Sequence, residues 1–137
     1  MKVVAADRDL VVVHGNNGML SVFSLTLSSP SPSLSMLSTP WATTTIPKAC
    51  NYDSLSLSSD LDCIAVFNRL QSSSSSDVRS RILIYTTKLA LRAVITTSSV
   101  VDVMITPFGV VVVTAMDVRK YDFCGNLVKI VEMGTGM

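Results

Sequence analysis

The chain has one glutamate, Glu132, and one histidine, His14. Glutamate and the other straight-chain residues are strong helix formers. Valine, serine and threonine abound in their place, and β-branched residues suit strands. The balance argues against a helical fold and for an all-β one. Charge is scarce too: 15% of residues are Asp, Glu, Lys or Arg, against 48% hydrophobic. A chain that apolar can bury a core and does not read as disordered. A formal net charge of +1 gives no electrostatic case for nucleic acid or an acidic membrane surface.

Other absences bear on chemistry. The three cysteines, Cys50, Cys63 and Cys124, are odd in number and form no CxxC. That argues against a disulfide framework or a zinc site and for buried free thiols. His14 has no Ser or Cys beside it in a nucleophile pattern, so acid–base work lacks its usual parts. Gly134-Thr135-Gly136 opens no helix and does not read as a phosphate loop. Asp7-x-Asp9 and Asp60-x-Asp62 could each begin a calcium loop, but no further ligand follows at the needed spacing. Asp also forms turns through its own side chain, and that is the reading taken here. The expectation is a protein that is not an enzyme, with no cofactor and no metal.

Long apolar runs are missing as well. The longest, Val103 to Met116, contains Pro107 and Gly109 and is too short to span a bilayer. Asp7, Arg8 and Asp9 interrupt the N-terminal apolar stretch before a signal-peptide core is complete. A cytoplasmic protein is expected, meeting membranes only through partners.

What is present is a series of short strand candidates with turns between them. A length of 137 residues suggests one domain. Val3 to Ala6, Leu10 to His14 and Met19 to Leu25 come first, with Asp7-Arg8-Asp9 and Gly15-Asn16-Asn17-Gly18 as turns. Leu27 to Thr45 is rich in Ser, Pro and Thr, and Pro30, Pro32 and Pro40 forbid a continuous ladder. It reads as a long loop whose end Trp41 anchors against a core. Tyr52 to Leu57, Cys63 to Phe67, Arg81 to Thr86 and Leu89 to Ile95 follow, with the serine run Ser72 to Ser76 as exposed loop. Val100 to Ile105, Val110 to Ala115, Val118 to Phe123 and Leu127 to Glu132 close the series. Four such strands in one meander make a propeller blade.

The pattern recurs. The turns Asp7-Arg8-Asp9, Ser59-Asp60-Leu61-Asp62 and Pro107-Phe108-Gly109 each precede a continuous apolar strand; from 7 to 59 is 52 residues and from 59 to 107 is 48. Strands centred on Phe23, Tyr85 and Tyr121 follow in the same order. Repetition at this scale marks propellers and related arrays. Three blade-like units are expected, about 1–46, 47–97 and 98–137.

His14-Gly15-Asn16-Asn17-Gly18-Met19-Leu20-Ser21-Val22-Phe23-Ser24-Leu25 resembles the third-strand segment of a WD-repeat blade. Phe23-Ser24, Tyr85-Thr86 and Tyr121-Asp122 stand where that family has Trp-Asp, and only the last keeps the acid. The family's Gly-His dipeptide is absent from all three units. Asn51 to Met133 is similar, more narrowly, to the C-terminal propeller of BEACH-domain (neurobeachin-like) proteins. Leu55-Ser56-Leu57-Ser58-Ser59-Asp60-Leu61-Asp62 and Phe123-Cys124-Gly125-Asn126-Leu127 carry that likeness. The resemblance implies a partial β-propeller and a non-catalytic scaffold for protein partners, in the narrower case within vesicle trafficking.

The residues singled out for partner binding are Trp41, Arg79, Arg81 and Arg92. The arginines, with Lys88, follow the serine run and would form a cationic edge for an acidic segment or a phosphorylated serine loop. A solvated face is the plainer reading. Three blades are fewer than close a ring. The chain is therefore expected to self-associate or to need further blades. Two rivals are kept: a compact β-sandwich binding through the serine-rich loops, and an enzyme of unrecognised type.

Overall fold

The computed structural model describes residues 3–15, 18–24, 40–46, 52–69, 79–98 and 100–132, with only the backbone course at 79, 80 and 98. Twelve strands form three antiparallel sheets of four, each in chain order. Sheet 1 holds β1 (Val3–Asp7), β2 (Leu10–His14), β3 (Met19–Ser24) and β4 (Ala42–Thr45). Sheet 2 holds β5 (Ser54–Ser58), β6 (Cys63–Phe67), β7 (Arg79–Tyr85) and β8 (Leu91–Ser98). Sheet 3 holds β9 (Val100–Thr106), β10 (Gly109–Thr114), β11 (Asp117–Tyr121) and β12 (Leu127–Glu132). The fold is all-β, and its sheets are arranged like propeller blades. The sandwich alternative needed pairing between strands distant in sequence, whereas each sheet here is an up-and-down meander.

Sheet 2 lies between the other two, and the residues of β6 show why. Side chains on a strand alternate between faces. Ile64 and Val66 join a core with Leu10, Val12, Leu20 and Val22 of sheet 1. Cys63, Ala65 and Phe67 join a second core with Val103, Val110, Val112 and Tyr121 of sheet 3. All five residues of β6 are buried. A strand covered on both faces has no use for a polar side, which accounts for its unbroken apolar run. The first strands sit side by side: β1 beside β5, and β5 with β6 beside β9. The fourth strands lie at the far edges, and β12 is exposed along its whole length.

Two expectations need correction. The stretch Leu27 to Thr45 is not loop to its end, because Ala42–Thr45 is β4. Past Pro40 the chain is free to pair, and three consecutive threonines favour extended backbone. β4 needs only one ladder, on β3, with Trp41 N–H to Val22 O (2.8 Å) and Ile46 N–H to Gly18 O (2.8 Å) prolonging it. Residues 27–39 of that stretch, the serine run 72–76 and Cys50 lie outside the described residues. The second correction concerns Leu89, expected in a strand. It sits in a turn at φ +65°, donating from its N–H to Thr86 O, and β8 begins at Leu91.

Candidate interaction rim

In an up-and-down sheet, alternate connections fall at opposite ends of the strands. One end of the three sheets therefore gathers the turns β1–β2, β5–β6, β7–β8, β9–β10 and β11–β12, together with the approach to β4. This is the first rim. The opposite end gathers β2–β3, the chain between β6 and β7, and β10–β11.

A connected strip of side chains crosses the first rim. Trp41 enters from sheet 1 and donates its indole Nε1–H to Thr87 O at 2.9 Å. The Thr87 backbone N–H donates to Asp62 Oδ1 at 2.8 Å, and its hydroxyl donates to the same oxygen. Arg92 donates from Nη1 to Asp62 O at 3.3 Å. Its guanidinium carbon also lies 4.9 Å from the centroid of the Phe123 ring in sheet 3. The order is Trp41, Thr87, Asp62, Arg92, Phe123, and it touches all three sheets. Further along, Phe108 caps the β9–β10 turn with 76% of its surface exposed, and Lys120 Nζ stands 5.4 Å from its ring centre.

The aspartates of this rim are structural acceptors. The hydrogen bond from the Thr87 hydroxyl, then that from its amide, holds the Asp62 carboxyl below its ordinary range. Asp7 takes the Ser59 amide (2.7 Å) and hydroxyl (3.1 Å), tying the turn of sheet 1 to that of sheet 2; its carboxyl is lowered by the same two bonds. Arg8 and Asp60 pair at 2.9 Å beside it, both well exposed. Such a pair adds little energy. Asp122 folds the β11–β12 turn by accepting from the amides of Asn126 and Cys124, each at 2.9 Å, and the Asn126 bond leads in lowering its pKa.

The residues singled out from sequence divide between the two ends. Trp41 and Arg92 stand on the first rim. Trp41 anchors by its hydrogen bond across to sheet 2, and it is 49% exposed rather than sunk in a core. Arg81 pairs across to Thr96 and Arg79 to Ser98, so both lie toward the opposite end of the β7–β8 hairpin from Arg92, which adjoins the Tyr85–Leu91 pair. Arg81 is exposed. The backbone positions of Arg79 and Arg92 thus lie at opposite ends of one hairpin. Sequence reasoning passed over Phe108, Phe123 and Thr87. An aromatic at the tip of a Pro-x-Gly turn was the available signal for Phe108. Thr87 and Phe123 gave none, because their partners lie 25 and 31 positions away (62 to 87, 92 to 123).

The opposite end is plainer. Arg69 pairs with Asp102 at 3.1 Å, and Ser56 Oγ donates to Val103 O at 3.1 Å, both joining sheet 2 to sheet 3. Asp117 accepts from Arg119 through both carboxylate oxygens (3.1 and 3.2 Å) and from the Thr114 hydroxyl (2.7 Å), closing the β10–β11 turn. His14 is partly buried, and that burial lowers its pKa. Burial likewise raises the Cys63 thiol to about 11, so it stays protonated and inert; Cys124, also expected buried, is exposed in the β11–β12 turn, where an apolar site is lacking. Among the described residues, no three His, Cys, Asp or Glu side chains are placed to hold a metal ion. Nor is any helix among them long and apolar enough to cross a membrane.

The class these features define is an all-β, propeller-like stack of three four-stranded sheets. No family model matches the chain, and no curated protein or solved structure matches it either.

Proposed function

We propose that the chain is a divergent WD-repeat-type propeller segment and works as a non-catalytic scaffold that offers its first rim to protein partners. The observation that carries this reading is the strip from Trp41 to Phe123, with Phe108 beyond it. Trp41 and Phe108 expose large aromatic surface, and Arg92 stands between them. Trp and Arg are the residue types that dominate interface energies when a partner covers them. Here Trp41 leads into β4 and Arg92 lies in β8, each tied by a hydrogen bond, so little freedom is lost on docking. The likeness of Asn51 to Met133 to the BEACH-type C-terminal propeller extends the proposal to a membrane-trafficking role, with the chain peripheral to membranes through its partners.

Affinity capture from source cells tests the reading, using the unchanged chain beside a Trp41→Ala, Phe108→Ala double variant. Specific proteins retained by the first should be lost from the second, with the far-UV circular dichroism of the two alike. Identical retained proteins for both chains would defeat the rim as the binding surface.

A further inference from the structure

Among the described residues, the two outer sheets each leave one face uncovered, and the repeat identifies what fits there. Leu10, Cys63 and Gly109 are the first residues of β2, β6 and β10 and so share one phase. In sheets 1 and 2 that phase faces the following sheet: Leu10 and Val12 look toward sheet 2, and Cys63, Ala65 and Phe67 toward sheet 3. In sheet 3 the same phase carries Val111 and Val113, in register with Met104, Val118 and Val131, and none of the described sheets packs on it. The opposite phase faces the preceding sheet. Tyr85 closes the core against sheet 1, and Tyr121 closes the core against sheet 2. Phe23 is the third member of that series. It lies in register with Val11 and Ala6, beside Val13 and Val4, on a face with no sheet before it.

Both uncovered faces are mainly apolar. On sheet 3, Met104, Val111 and Val113 of the inner strands continue into Val118 and Val131 of the outer ones, with Asp102, Lys120 and Lys129 among them. On sheet 1, Val4, Val11 and Val13 are inner and Thr43 and Thr45 outer. Within the chain too, it is the inner strands that meet. Lysines placed outermost keep their ammonium groups in water while their stems cover apolar surface. Met104 (47% exposed), Val131 (52%) and Val4 (59%) show how much greasy surface is left open. Propeller rings close with roughly four to eight sheets, and six is the one multiple of three in that range.

We propose that two copies of this chain close a six-sheet ring, the Val11–Phe23 face of each docking on the Val111–Val113 face of the other. The proposal rests on the propeller reading and names a second copy as the occupant of the open faces. The two contacts are the junction already made twice inside the chain, repeated between chains. Because each contact is head-to-tail, closure and not face symmetry limits the assembly to two.

Sedimentation of the full chain between 1 and 100 µM (on the order of the range where weak assemblies form) should give a particle of twice 14.7 kDa. Val13→Glu or Val113→Lys alone should return it to a monomer, with folding checked by circular dichroism. An equimolar mixture of the two variants should restore the dimer, because one junction then carries Glu against Lys and the other is untouched. If either variant fails to fold, Phe23→Lys and Met104→Glu replace the pair. A monomer at all concentrations, a species growing past the dimer, or a dimer indifferent to Val113→Lys would each overturn the ring. None of these residues stands on the first rim, so capture through Trp41 and Phe108 can persist when the ring fails.

Discussion

Gly109 shows how a single residue ties two turns together. It opens β10 at φ +138°, and a Cβ there would lie 2.1 Å from Tyr121 O. No side-chain rearrangement relieves that clash, since the neighbour is backbone. Gly109→Ala should therefore lower stability by about 1–3 kcal/mol, the scale of a strained backbone position, read as a fall in denaturant midpoint. A midpoint equal to the unchanged chain's would refute the close approach. The turn aspartates act at the same scale but respond to pH. Asp7, Asp62, Asp117 and Asp122 all have carboxyls held below the ordinary value of 3.8 by hydrogen bonds. On acidification the unfolded chain takes up these protons first, so the stability they lend is present above about pH 4 and is lost as pH falls through the lower folded values. Melting temperature should fall slightly below pH 6.5, where the unfolded chain protonates His14 first, and drop further between 4 and 2. A flat profile across that interval would count against these bonds. The sequence showed Asp7 and Asp62 to be turn formers, through the short Asp-x-Asp spacing, whereas Asp122 was expected in a strand. It did not show that Asp7 reaches Ser59 or that Asp62 reaches Thr87, because a carboxylate's distant acceptor role leaves no local pattern.

At the scale of the element, β6 and β4 mark the limits of legibility. β6 was readable because five consecutive apolar residues between turns have one stable home, between two layers. The same reasoning located β2 and β10, and the alternation in β3 separated Leu20 and Val22 from Phe23. β4 was missed because a short edge strand buries little and carries no strong period. Its threonines look the same in a loop, and only the ladder to β3 distinguishes them. The first and last residues of β8 moved for a similar reason: Leu89 is apolar enough for a strand, yet the Thr86 hydroxyl draws the amides of Lys88 and Ala90 into a turn. Phe67 makes the element-scale prediction. It is 1% exposed and packs into the core shared with sheet 3. Phe67→Ala should cost about 3–5 kcal/mol through lost transfer energy and the cavity left behind. That is a large part of a domain's total stability. Equilibrium unfolding measures it, and a loss below about 1 kcal/mol would mean that sheets 2 and 3 do not meet through this ring.

Among the described residues the molecule is a row of three layers, with the middle one packed against both others. Stability in such an array is a sum of unit terms and junction terms, so it need not be even along the chain. Sheet 2 makes two junctions within the chain, and sheets 1 and 3 make one each. β6 therefore cannot open without breaking both cores, whereas β12 can part from β11 with no core disturbed. This gradient was legible in outline, because the middle unit holds the longest unbroken apolar run, Cys63 to Phe67, one residue longer than Val110 to Val113. What the letters could not convey is that the latter run buries Val110 and Val112 but leaves Val111 and Val113 on an uncovered face; that depends on which sheet follows, not on the residues themselves. Native-state hydrogen exchange reads the gradient directly. Amides of β6 and β7 should be the slowest, approaching the global unfolding free energy, and those of β12 should exchange fastest among the strands. Dilution adds a second arm, since a covered sheet 3 gains protection in β10 only where copies are associated. Slowing in β10 that rises with concentration, while β12 stays fast, is the expected outcome. Protection spread evenly over all twelve strands would mean that the layers unfold as one unit and that the row-like picture is wrong.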